Sequence, residues 1–330
     1  MSVPRLLEDI HGQPESLRMA AEGVKDARRL AEAIRTAGSV VLTGMGSSLY
    51  AGMVLSHALC ELGIVSRAVE TAELLHFPHL LRAGELVILI SRSGETVEVL
   101  ELMGRGGIDF AAVTSEPASS LARGCALTMC VRHRPDELVA VQSYTATVLA
   151  LLGLASVLST NEAEFLRRVE AALEALPGYL AEQEEASMQW KEFLAPAGCV
   201  YLLGRGPSLA SAMEGGLLLH EVSKQPAAAV SAANFRHGPV EVAGERLRAF
   251  LFASQMATRD LDRALAGDLI RFGSFVQVIE PPVEPWLAPV FETIPVQFAA
   301  LRLAEWRGVP LGHVQLASQV TRAEDRFRPL

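Results

Sequence analysis

The chain has 330 residues, half of them hydrophobic, with a net charge of −9 and a mean hydropathy of +0.27. That length exceeds one average domain and is enough to bury substantial cores, while the acidic balance disfavours nucleic acid as a partner. No uninterrupted apolar run reaches membrane-spanning length, and the nearest candidate, Val148–Leu158, reads as a buried helix, so no membrane partner is expected. The opening residues, Met1 to Leu17, carry acids and lack an apolar core, which argues against a secretory signal. Cys60, Cys125, Cys130 and Cys199 show no CxxC or Cys/His metal spacing and read as reduced thiols of a cytoplasmic protein. His76 and His79 have i, i+3 spacing without a third ligand nearby, so neither a metal nor another cofactor is expected.

Taken in order, the chain begins with Ile10–Arg35, rich in Ala, Glu, Arg and Leu, which predicts helices with Pro14 opening the second. Ser39–Thr43 predicts a strand that runs into Gly44-Met-Gly-Ser-Ser48 and an apolar helix, Leu49–Leu62. Val65–Val69 reads as a second strand and Thr71–Leu81 as a helix. Glu85–Ile90 is an apolar run of the kind buried on both faces of a parallel sheet, and it ends abruptly in Ser91-Arg92-Ser93-Gly94-Glu95-Thr96. Val97–Met103 then follows as a helix. Ala111–Thr114 and Leu127–Val131 continue the alternation, which predicts an α/β fold with a doubly wound parallel sheet. Ligands of such sheets sit at the carboxyl ends of the strands, where both serine- and glycine-rich loops fall. Backbone N–H groups at a helix start, with Ser and Thr hydroxyls beside them, suit a phosphate, although a serine there commonly only caps the helix.

The second half repeats the first. Cys199–Leu203 leads into Gly204-Arg-Gly-Pro-Ser-Leu209, and Gly44/Gly204, Gly46/Gly206, Ser48/Ser208 and Leu49/Leu209 fall at one constant offset. Four matches in one strand–loop unit suggest duplication of a whole α/β domain. The second counterpart of Ser91–Thr96 is Ser254–Thr258, which has lost the glycine and Ser93, so one phosphate site is expected, in the first copy. Asn161–Lys191 predicts one or two linking helices, interrupted at Pro177-Gly178. A dinucleotide site is the competing reading of the Gly-rich loop: Glu70 stands where a ribose-binding acid would be, but GxGxxG is absent and the Ser91–Thr96 loop has no place in that fingerprint.

The pairing of GMGSS with SRSGET resembles the sugar isomerase (SIS) domain, which binds phosphosugars. With GRGPSLASAMEGGLLLHEVSK and NFRHGPVE in the second copy, the whole chain from about Ser39 resembles the double-SIS isomerase half of glucosamine-6-phosphate synthase and its stand-alone aminosugar-phosphate relatives. The resemblance implies two tandem SIS domains: a helical segment 1–38, a first SIS domain 39–160, linking helices 161–191 and a second SIS domain 192–330. It implies that Ser47, Ser48, Ser91, Ser93 and Thr96 hold the phosphate, with Arg92 in place of the usual glutamine adding a positive charge. It further implies that Val139 and Ala140 line the sugar through their backbone, that Glu221 moves a proton between C1 and C2, and that His237, from the neighbouring subunit of a homodimer, opens the sugar ring.

The chemistry agrees with these roles. Aldose–ketose interconversion needs a base beside the carbon next to the carbonyl and a second group to shuttle protons at oxygen. Glu214 and Glu221 lie two helical turns apart, so one helix face can present both carboxylates. Read singly, Glu221 is a solvated helix residue and His237 a loop or capping histidine; the motif context favours the catalytic reading. Two departures narrow the reaction. The synthase relatives use a C-terminal lysine as a Schiff base, whereas this chain has Ser318 or Gln319 there and holds only Lys25, Lys191 and Lys224. It opens Met1-Ser2, without the cysteine nucleophile of a glutaminase. The expectation is a phosphosugar isomerase or deaminase acting on an aminosugar phosphate such as glucosamine 6-phosphate, without a Schiff-base lysine. The alternatives are a fructosamine-6-phosphate deglycase and a non-catalytic phosphosugar-binding regulator.

Overall fold

Nine short strands, each followed by helix or loop, build two parallel sheets in the computed structural model, which describes residues 3–137, 139–310 and 320–324. The first sheet holds β1 (Ser39–Gly44), β2 (Ser66–Glu70), β3 (Glu85–Ile90), β4 (Asp109–Thr114) and β5 (Thr128–Cys130), in the order β2-β1-β3-β4-β5. The second holds β6 (Val200–Gly204), β7 (Ala227–Ser231), β8 (Arg248–Phe252) and β9 (Phe275–Ile279), in the order β7-β6-β8-β9. Every neighbouring pair is parallel. The second sheet therefore repeats the strand order of the first, one strand shorter.

Burial explains why these runs became central strands. All six residues of β3 and all five of β8 are buried, as parallel strands covered on both faces must be. On one face of the first sheet Val41, Val87, Leu89 and Ala112 pack with Leu74, Val99, Leu102 and Leu121. The other face takes helix Ser47–Glu61, where Gly52 lies against Leu42 and Ile90. In the second sheet Leu203, Ala249 and Leu251 pack with Phe235, Leu265 and Leu269.

The two sheets belong to two compact units that interleave along the chain. The first unit takes in 15–135, 142–171 and 320–324; the second takes in 3–14, 136–137, 139–141 and 172–310. The N-terminal helices are thus divided, with Val3–His11 going to the second unit and Arg28–Thr36 to the first.

Two local expectations change. The linking region is one long helix, Glu162–Met188, that continues through Pro177. A proline inside a helix costs ~3 kcal/mol or more, and here the buried stripe Phe165, Val169, Leu173, Leu176 and Leu180 outweighs it. Conversely, the helix expected over Thr71–Leu81 ends at His76 and is followed by a 3-10 turn, Pro78–Leu80. Phe77, at φ −120° and ψ 68°, shows the reason: the residue before a proline is pushed out of the helical region.

At the amino end of β3 the buried Glu85 accepts from both arms of the Arg67 guanidinium at 2.5 and 2.8 Å, from the Arg82 N–H at 2.8 Å and from the Ser39 hydroxyl at 3.1 Å. The Arg67 hydrogen bonds, chiefly, hold its carboxyl down at about 2, against an ordinary 4.5. A depressed carboxylate contributes stability that is full above its unfolded value and lost as pH falls toward its folded one. The contribution is about 3 kcal/mol, at about 1.4 kcal/mol per pH unit. Thermal unfolding of wild type should therefore lose stability steadily from pH 4.5 to 2. E85Q should show a shallower slope over that range, and an unchanged slope would assign the acid sensitivity to other groups.

Candidate functional site

In the first sheet the chain leaves β1 toward β2 on one side and returns to β3 on the other, so the strand order reverses between β1 and β3. At such a switch point the loops after the two strands part and leave a crevice at their carboxyl ends. Here those loops are 44–48 and 91–96. Gly44 packs closely where β1 ends: a Cβ there would lie 2.8 Å from the Ile90 carbonyl oxygen, at the end of β3, and 2.8 Å from the Ser48 Cβ. Ser47 and Ser48 open helix Ser47–Glu61, whose N-cap is Gly46 at φ 51° and so supplies no side-chain cap, while the Ser48 N–H donates to the Met45 carbonyl at 3.2 Å. A helix start favours an anion through its N–H groups and dipole.

The 91–96 loop is held by its backbone. The Ser91 N–H donates to the Val113 carbonyl at 3.0 Å, Ser115 N–H donates to the Arg92 carbonyl at 3.1 Å, and Leu121 N–H donates to the Gly94 carbonyl at 3.1 Å. Its hydroxyls converge: Ser91 Oγ and Thr96 Oγ1 are 3.2 Å apart, the Gly94 N–H donates to Ser91 Oγ at 3.1 Å and the Glu95 N–H to Ser93 Oγ at 3.2 Å. Thr96 is the N-cap of helix Val97–Met103, yet its side chain makes no cap hydrogen bond, so the capping role does not account for it. Glu95 accepts from the Ser120 N–H at 2.7 Å, and that bond, with the Ser120 side chain, holds its carboxyl below the ordinary range. Gly94 sits at φ +62°, and a Cβ there would meet Ser119 Oγ at 2.2 Å. Ser47, Ser48, Ser91, Arg92, Ser93 and Thr96 all belong to this unit, and Ser47, Ser48, Arg92, Ser93 and Thr96 keep part of their surface exposed.

Val139, Ala140, Glu221 and His237 belong to the second unit. Val139 is buried and Ala140 half-buried. Glu221 lies near the end of helix Ser208–Ser223 and is partly exposed, while Glu214, two turns earlier, is buried. His237 is exposed on the turn after helix Ala232–Phe235, its N–H donating to the Asn234 carbonyl at 2.9 Å. Phe235, two residues earlier, faces the core. Its ring is fully buried, edge-on to Tyr201 at 5.5 Å between centroids, because the short helix turns it into the core. Ser318 and Gln319, at the lysine position of the synthase relatives, lie outside the described residues. Among the described residues no group of three potential metal ligands occurs, and His76 Nε2 lies 2.8 Å from a Glu324 carboxylate oxygen.

The second sheet has the same switch point, between β6 and β8. Strand register fixes the correspondence: Thr43 pairs with Leu89, and its counterpart Leu203 pairs with Leu251. Ala253 then stands at Ser91, Gln255 at Ser93, Met256 at Gly94 and Thr258 at Thr96, each threonine at the N-cap position of the helix that follows and without a side-chain cap bond. Here the polar groups satisfy one another. Arg205 Nε donates to Asp262 at 2.7 Å, Thr258 Oγ1 donates to the same carboxylate at 2.8 Å, and Gln255 Nε2 donates to Ser208 Oγ at 3.0 Å. Ser208 and Ser211 donate to the two carboxylate oxygens of Glu292 at 2.7 and 2.6 Å. Glu292 is fully buried, and burial pushes its carboxyl up. The sequence reading missed it, although a lone acid in the apolar run Pro289–Val296 was a signal, since buried acids are rare without partners.

Comparison with known proteins agrees with this geometry. Residues 33–157 match the family model of the SIS domain. The first unit carries a SIS domain. The chain is 28% identical over 329 residues to the glutamine–fructose-6-phosphate aminotransferase (isomerizing) of Pyrobaculum aerophilum, covering 92% of this chain and 55% of that protein. The Thermococcus kodakarensis enzyme of the same name is 29% identical over 332 residues, with the same coverage. The chain thus spans about half the length of these relatives and resembles their isomerase half. Among solved structures, glucosamine-6-phosphate deaminase from Thermotoga maritima superposes with a TM-score of 0.80 at 20% identity, covering 96% of this chain and 99% of that one. The C-terminal domain of glucosamine-fructose-6-phosphate aminotransferase from Francisella tularensis gives 0.82 at 18% identity, with 93% and 97% covered. At such identities these structures support the fold of both units.

Proposed function

We propose that the protein is a phosphosugar isomerase or deaminase acting on an aminosugar phosphate such as glucosamine 6-phosphate. The observation that supports this reading is the switch point of the first sheet, where the loop 91–96, with Ser91 Oγ and Thr96 Oγ1 3.2 Å apart, follows β3 and the Gly-rich loop that opens helix Ser47–Glu61 follows β1. Hydroxyls and backbone N–H groups suit a phosphate dianion, and Arg92 on the same loop adds positive charge. Glu221 takes the proton from C2 of the open aldose and delivers it to C1, and His237 moves protons on the ring oxygen during opening. In the deaminase direction water then replaces the amine at C2, giving ketose phosphate and ammonia. The test is a panel of hexose, hexosamine and fructosamine 6-phosphates, screened by thermal shift and then by ammonia release. Stabilisation by hexosamine 6-phosphates with release of ammonia is expected. Release of free amino acid from fructosamine phosphates would instead indicate a deglycase.

The lysine composition favours a second reading. With Lys25, Lys191 and Lys224 as its only lysines, the chain has none at the Schiff-base position of the synthase relatives, and a phosphosugar-binding regulator needs none. A regulator would bind the same ligands without turnover.

The working form under this proposal is a homodimer in which His237 serves the neighbouring chain. E221Q and H237A should each be nearly inactive, and mixing them under subunit exchange should restore about a quarter of wild-type activity, because half the dimers then carry one intact site. A mixture that stays inactive despite proven exchange would place His237 in its own subunit's site.

A further inference from the structure

The crevice of the second sheet repeats that of the first in strand order, loop position and helix start, yet its centre is filled by the chain itself. Glu292, with no exposed surface, inserts a carboxyl between Ser208 and Ser211 at the first turn of helix Ser208–Ser223. Gln255, from the loop after β8, secures Ser208 by donating to its hydroxyl and is within 3.2 Å of the Pro285 carbonyl. The buried Ser254 hydroxyl also faces the carboxyl, outside hydrogen-bond geometry. An ion pair, Arg205 with Asp262, ties the glycine loop to helix Arg259–Arg271. A carboxyl bound by two hydroxyls at the start of a helix, over the switch point of a parallel sheet, meets the set of donors that an oxyanion would meet there.

We propose that Glu292 is an internal ligand: its carboxyl occupies the oxyanion position of the second crevice, closing that crevice to phosphate and fixing the first turn of the helix that carries Glu221. The comparison between the two crevices rests on the reading of Ser91–Thr96 as the phosphate loop; the occupancy of the second crevice is tested without it. Glu292 is in this account a positioning residue, since it reaches Glu221 only through helix Ser208–Ser223. Its conformation is set by the short helix Ala288–Phe291, which ends immediately before it.

The test is chemical rescue read by thermal unfolding of the full chain, which does not depend on any phosphosugar. E292A leaves two buried hydroxyls without their acceptor and opens a volume the size of a small carboxylate. Its Tm should fall by about 5–10 °C. Formate at about 100 mM should recover part of that loss, chloride at equal ionic strength should not, and wild type should respond to neither beyond the common salt effect. Equal responses of E292A to formate and chloride would overturn the proposal. Should E292A not fold, E292L refills the volume without the oxygens. S211A should lower the Tm of wild type by about 3–5 °C but leave that of E292L unchanged. Equal effects of S211A in both backgrounds would overturn it, since the serine would then not be acting through the carboxyl. With the helix start loosened, kcat of E292L on an accepted substrate should fall tenfold or more while KM changes less than threefold.

Discussion

E221Q should bind an aminosugar phosphate as tightly as wild type and turn it over at least about a thousandfold more slowly. The substitution keeps the shape of a partly exposed side chain near the end of helix Ser208–Ser223, so folding and ligand affinity should be preserved. What it removes is the group that accepts a proton from carbon. Positioned general bases contribute about 10²–10⁴ in rate, and a thousandfold corresponds to about 4 kcal/mol of barrier. Incubation in heavy water separates the chemistry from product release. Wild type should place solvent deuterium at C1 of the ketose product, and E221Q should give none on the same time scale. Undiminished exchange in E221Q would move the base to another residue, with Glu214 on the same helix the first to test. Absence of exchange in wild type with any tightly bound phosphosugar would support the regulator reading.

Gly94→Ala should abolish phosphosugar binding. Two independent constraints act at this position: the backbone is at φ +62°, and an added Cβ would come within 2.5 Å of the Ser119 Cβ. A left-handed conformation alone costs a non-glycine residue about 1–2 kcal/mol, and the clash is with a side chain whose hydroxyl caps the next helix through the Ala122 N–H at 3.2 Å. The loop must therefore move, and Ser91, whose hydroxyl accepts from the Gly94 N–H, moves with it. Losing two hydrogen bonds to a charged ligand costs roughly 3–6 kcal/mol, a hundredfold or more in affinity. G94A should accordingly show no saturable binding of hexosamine 6-phosphates at concentrations that saturate wild type, with the Tm lowered by a few degrees. Retained affinity would mean that the loop geometry is not what holds the ligand.

The elements most legible in the sequence were those whose burial leaves no choice. Glu85–Ile90 and its serine-rich end were readable because a strand covered on both faces must be apolar throughout and must stop where the backbone needs donors. The repeat of glycines and serines after β1 and β6 also predicted the repeated strand order that the two sheets show. What escaped were features decided by tertiary partners. The continuity of Glu162–Met188 through Pro177 depends on its buried stripe, and local propensity at Pro177-Gly178 points the other way. Glu292 stood out only as a lone acid in an apolar run; its partners, Ser208 and Ser211, lie far away in sequence and look like ordinary helix-start residues. Phe235 was open in the sequence to a surface role, beside the polar Arg236 and His237, or to a core role, and the short helix that ends in it turns the ring into the core.

Calorimetric titration with glucosamine 6-phosphate and with glucosamine, on wild type, S93A and T96A, tests the central claim most directly. The account predicts one site per chain for the phosphorylated sugar, none for the free sugar, and an affinity lowered about tenfold or more in each variant. Equal affinity in wild type and both variants, or binding of glucosamine as tight as that of its phosphate, would contradict it.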